Sequence, residues 1–196
     1  MHSYYIIYKP YLVLSQFSSS EGKRTLADFF NVPKDVYPVG RLDYDSEGLL
    51  ILTNDTRLNS KLLHPTNKHQ REYWVQVEGV ITGEAIALLE KGIDISIDGK
   101  IHRTQPAKAK LFNNAPKVPE RDPPIRYRQN IPTSWISLVL TEGKNRQVRR
   151  MTAKVGFPTL RLIRHSIEKL SLDNMQPGDK ISLSQEKIYS LLFGKN

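Results

Sequence analysis

The chain contains no cysteine. Disulfides, thiolate nucleophiles and cysteine-ligated zinc are thereby excluded, which agrees with a reducing compartment. No apolar run approaches the roughly 20 residues of a membrane span. The N-terminus, Met1-His2-Ser3-Tyr4-Tyr5, lacks the basic and apolar regions of a secretory signal. A cytoplasmic protein away from the membrane is therefore expected. The five histidines (His2, His64, His69, His102 and His165) show no helical pair and no zinc-type spacing, so no metal site is read. There is no glycine-rich loop to cradle a phosphate and no serine in a nucleophile elbow.

What is present is positive charge. Twenty-nine basic residues stand against 20 acidic ones, a net charge of +9 with a pI near 9.7. A chain this basic usually meets a polyanion. Its 196 residues suffice for one large domain or two small lobes with a real core. Periodicity predicts a strand over Tyr4–Lys9 with residues 13–17 as its partner, and a short helix after Thr25. A dry strand is expected over 49–53, then a helix capped by Asn54 or Asp55. A strand over 72–80 precedes a helix capped by Thr82 and closed at Gly92. Ile93, Ile95 and Ile97 alternate up to the Asp98-Gly99 turn. Strands follow at 107–112, 135–140, 160–164 and 180–183, with helices at 146–155 and Gln185–Phe193. Residues 113–134 hold five prolines among basic residues and read as a long internal loop. Mostly antiparallel strands with interspersed helices make an α+β pattern.

Two segments carry candidate chemistry. In residues 40–55, Arg41 and Asp43 sit in a turn that opens on a glycine, followed at once by the apolar run 49–52. A buried strand there would hold the acid rigidly. On the helix at 146–155, Val148, Met151, Thr152 and Val155 form an inward stripe, while Arg146, Arg150 and Lys154 face outward. Lys144 and Asn145 precede them. Arg149 lies at the boundary of the two stripes, where a guanidinium wants a partner. Asp43 is the natural one, since an Arg–carboxylate pair keeps an acid ionised for nucleophilic work. A turn or capping role for Asp43 stays open, and so does the choice among Asp43, Asp45 and Glu47, a trio that would also suit a metal-dependent nuclease. Tyr73 follows Arg71 at the start of a strand and could stack on an unpaired base. Trp74 reads as core.

Several blocks resemble the RsuA-type pseudouridine synthases that modify bacterial ribosomal RNA. They are Tyr8-Lys9-Pro10 with Leu14-Ser15, residues 39–55, Glu72-Tyr73 with Val75, residues 142–151 and residues 160–164. They run in family order over nearly the whole chain. The stretch at 121–126 and 131–135 looks like the branch of that family that modifies 23S rRNA near the peptidyl-transferase region. One departure is Leu12, where the family commonly has glycine. The resemblance implies the pseudouridine synthase fold, a long, curved, mostly antiparallel sheet in two lobes with flanking helices and a cleft across its middle. It implies one catalytic domain over residues 1–196, without the S4 module that often precedes it. Asp43 becomes the catalytic aspartate, Tyr73 the tyrosine against the base, and Arg149 the partner of the aspartate. Arg41 would fill the space left by the flipped base, and Lys144, Arg146, Gln147 and Arg150 would bind RNA. Substrate and product of this isomerisation share one formula, so no cofactor is expected. The expected partner is 23S rRNA or a large-subunit assembly intermediate, met by a monomer. An rRNA-binding or assembly factor without catalysis on the same scaffold is the alternative.

Overall fold

The computed structural model of the protein describes residues 2–125 and 131–194. In chain order they form β1 (Tyr4–Lys9), β2 (Val13–Leu14), β3 (Arg24–Thr25), β4 (Tyr37–Pro38), β5 (Glu47–Thr53), α1 (Thr56–Leu63), β6 (Arg71–Glu78) and α2 (Gly83–Lys91). Then come β7 (Asp94–Ile97), β8 (Lys100–Arg103), β9 (Lys108–Leu111), β10 (Thr133–Leu140), α3 (Gln147–Lys154), β11 (Thr159–Ile167), β12 (Leu170–Ser171), β13 (Lys180–Ser182) and α4 (Gln185–Phe193). The class is α+β, as the strand pattern predicts. Two compact units result: one is the chain up to His69 together with everything from Ile163 onward, the other Gln70–Leu162.

In the first unit, all seven residues of β5 are buried. A strand dry on both faces belongs inside a sheet. β5 accordingly pairs with β1 and β4 antiparallel and with β11 parallel. Its register with β1 runs from Tyr4↔Thr53 to Lys9↔Gly48, and β13 takes the other edge of β1. Residues 13–17 are therefore not the partner of β1. Leu12 has φ +55 and turns the chain away, and Val13–Leu14 pairs in parallel with Arg24–Thr25. The apolar run of β5 takes the central place because it has two faces to bury. Ile7, Val13, Leu26, Phe30, Leu50 and Leu52 are among the core residues of this unit.

Asp55 caps α1, its Oδ1 accepting from the N–H groups of Arg57 (2.9 Å) and Leu58 (3.2 Å). Its Oδ2 accepts from the hydroxyls of Tyr4 and Tyr189, each at 2.8 Å. One buried carboxylate thus joins β1, α1 and α4. Burial pushes this carboxyl up, but the two tyrosines and the two amides together hold it below the usual range.

In the second unit, β6 and β10 pair antiparallel from Arg71↔Leu140 to Glu78↔Thr133, with β9 on the outer edge of β10. Val75, Val77, Ile136 and Leu138 project to one face and meet Ala85 and Leu89 of α2 and Val148 and Met151 of α3. Thr82 caps α2 as expected, accepting from Ala85 N–H at 3.2 Å. The Asp98-Gly99 turn closes the β7–β8 hairpin. No regular element lies between β9 and β10 among the described residues. Arg121 pins this loop, donating to Pro123 O (2.9 Å) and to Leu160 O of β11 (3.3 Å). Arg126, part of the loop's motif, lies outside the described residues.

Candidate active site

The turn that carries Asp43 is fixed from both ends. Upstream, the buried Ser15 hydroxyl donates to Leu42 O (2.8 Å) and accepts from Leu42 N–H (3.0 Å). Downstream, β5 begins at Glu47. Ser46 N–H closes the turn on Asp43 O at 3.0 Å. Asp43 and Asp45 are half-buried, Arg41 is exposed, and Glu47 is only 1% exposed. Burial at the head of a strand removes Glu47 from the choice of reactive acid. Among the described residues no group of three or more His, Asp or Glu side chains is placed to hold an ion.

Under this turn lie buried charges. Lys9 is wholly buried, its Nζ donating to Pro10 O (2.9 Å) and Val13 O (2.7 Å). Desolvation lowers its pKa to about 7, against the opposing pull of the Glu47, Asp45 and Asp43 carboxylates. Arg164 of β11 is 4% exposed and donates from Nε to Leu49 O at 2.8 Å. Spacing alone could not single out Ser15 as a clamp on Leu42, or Lys9 and Arg164 as the neighbours of Gly48 at the head of β5. They come from three segments that only tertiary pairing brings into place.

The second unit holds Tyr73 and Arg149. Tyr73 is half-buried on β6, opposite Leu138 in register, and packs on the core cluster that includes Val148 and Met151 of α3. Arg149 is half-buried on that same helix, and its backbone carbonyl accepts from Thr152 Oγ1 at 3.3 Å. Tyr73 and the helix bearing Arg149 therefore share one core. Asp43 belongs to the other unit.

The approach to α3 is a tied loop. Glu142 accepts from Gln105 N–H and from Gln147 Nε2, both at 2.7 Å, and meets His102 Nε2 at 3.1 Å. Gln147 Oε1 accepts from Lys144 N–H at 2.9 Å. Arg146, expected as the first helical residue, instead caps the helix with φ +50 and ψ +32. Lys144 and Arg146 are exposed. Gln147 is 3% exposed with its amide engaged. Arg150 donates from Nε to Asn145 O at 3.1 Å and from Nη1 to Ser96 O. Gln147 is thus enclosed within this loop, Arg150 is half-buried with bonds to Asn145 and Ser96, and Lys144 and Arg146 are exposed. Trp74 points to the opposite face of β6, donating to Glu72 Oε1 at 3.0 Å and lying edge-on to Phe112.

A model of the RNA pseudouridylate synthase family matches residues 3–154. With more than half of its length matched, the chain belongs to that family of isomerases. It is 51% identical to the ribosomal large subunit pseudouridine synthase E of Vibrio parahaemolyticus, over 88% of this chain and 70% of that protein. It is 50% identical to the protein of the same name from Xanthomonas axonopodis pv. citri, over 88% of this chain and 89% of that one. A crystal structure of a pseudouridylate synthase shares the fold with a TM-score of 0.79 at 25% identity, covering 98% of this chain and 74% of that one.

Proposed function

We propose that the protein converts one uridine of 23S rRNA, near the peptidyl-transferase region, to pseudouridine. The N1–C1′ glycosidic bond breaks, the uracil turns, and C5 bonds to C1′; the proton lost from C5 is balanced by one gained at N1. Asp43 supplies the carboxylate, acting at C1′ or on the C2′ proton. Arg149 serves as the basic partner in the reaction, and Tyr73 lies against the base. The uridine must leave its stack to be reached, and Arg41 takes its place. Lys144 and Arg146 hold phosphates. The partner is free 23S rRNA or an assembly intermediate of the large subunit, met in the cytoplasm by a monomer.

The observation that carries this reading is Asp43 itself. It is an accessible acid on a turn clamped by Ser15 and β5, inside the region matched by the family model. The half-identical relatives named for the large subunit support the substrate class. The test is a pseudouridine map of rRNA from cells lacking the protein, complemented with the wild-type chain or with Asp43→Asn. One modified site should vanish, return with the wild type, and stay absent with the variant, although the variant folds and binds RNA normally. Restoration of the site by Asp43→Asn would refute the assignment.

A further inference from the structure

Ser46 differs from Ser15 and Thr53, two other buried hydroxyl residues of the first unit. Ser15 and Thr53 are each bonded within the first unit. The Ser46 side chain is 1% exposed, yet among the described residues nothing pairs with its Oγ. A buried hydroxyl without a partner is unfavourable, and an alanine there would avoid the penalty. Retaining the hydroxyl makes sense if another state engages it.

Its place in the chain suggests that state. Asp43 and Ser46 are the two ends of one turn, closed by Ser46 N–H on Asp43 O at 3.0 Å. Ends of such a turn lie within about 7 Å at Cα, and rotation about one side-chain bond carries a serine hydroxyl between staggered positions. The backbone is held upstream by Ser15 and downstream by β5, so the two side chains can change partners without the loop moving. We infer that Ser46 is a positioning residue for Asp43. Its hydroxyl donates to the Asp43 carboxylate when that group turns toward the bound nucleotide, fixing one oxygen and presenting the other to the sugar. This rests on the reading of Asp43 as the catalytic carboxylate.

Ser46→Ala, Ser46→Thr and Asp43→Asn are compared with the wild type on one RNA, measuring pseudouridine formation, RNA affinity and thermal midpoint. Ser46→Ala should melt no lower than the wild type, because no bond is lost in the free protein. It should bind RNA with unchanged affinity and KM, and turn over about tenfold more slowly, the loss expected for one bond to a charged group. Ser46→Thr, which keeps the hydroxyl, should recover most of the rate. Wild-type kcat in Ser46→Ala overturns the inference. So does a drop of several degrees in its midpoint, since the hydroxyl would then be bonded in the free protein. If Asp43→Asn turns over like the wild type, the catalytic reading of Asp43 itself fails, and the role of Ser46 with it.

Discussion

Lys9 shows what one residue beneath the site does to the molecule. Its amine is buried, bonded to two carbonyls, and lowered to a pKa of about 7 by desolvation. In the unfolded chain the same group titrates near 10.4. Between these values the unfolded state binds more protons than the native one, so stability rises with pH across that window and the benefit is absent below it. Urea denaturation at pH 7 and pH 9 should show a gain of about 2 kcal/mol from this group. Lys9→Met, which cannot titrate, should remove that gain. At the same scale Asp55 holds the Tyr189 hydroxyl in its un-ionised form, raised to about 12 chiefly by burial and then by the carboxylate, so this anchor of α4 does not titrate within the tested range.

The element on which the site depends is β5, and its weakest tolerance is at Gly48. This residue has φ +114, and a Cβ there would lie 2.4 Å from the Arg164 carbonyl oxygen of β11. Both the backbone conformation and the parallel pairing Arg164↔Gly48 require glycine. Gly48→Ala should therefore destabilise the protein by about 3 kcal/mol or more, read as a lower denaturant midpoint. Because Asp43 is only five residues upstream, turnover should fall with it. The approach to α3 is supported in the same way: Glu142 and Gln147 tie the loop that carries Lys144 and Arg146.

For the whole molecule, the positive charge is unevenly divided. Gln70–Leu162 contains 16 of the 29 basic and 9 of the 20 acidic residues, and so carries +7 of the net +9. RNA affinity should accordingly fall steeply with salt, with the second unit supplying most of the slope. Replacing Lys144 and Arg146 together with alanine should lower the slope of log K against log salt by about 2. A slope that does not change would show that neither side chain meets a phosphate. Among the described residues no helix is long and apolar enough to cross a membrane, so the basic surface adjoins no such span.

Local order was legible in the sequence because its causes are local. Apolar periodicity marks β5 and α3, Asp55 and Thr82 cap their helices, and Asp98-Gly99 turns its hairpin. The motif around Asp43 could likewise be recognised, since residues close in sequence form that turn. Strand partners cannot be read in this way: the pattern puts residues 13–17 beside β1, whereas β5 and β13 pair with it. Pairing depends on which surfaces become dry together, and that is a property of the folded whole. Only tertiary structure decided that Glu47 and Gln147 are enclosed, that Arg150 bonds to the carbonyls of Asn145 and Ser96, that Ser15 clamps Leu42, and that Lys9 and Arg164 both pair beside Gly48 at the head of β5. Hydrogen bonds between segments distant in sequence leave no periodic signature in it.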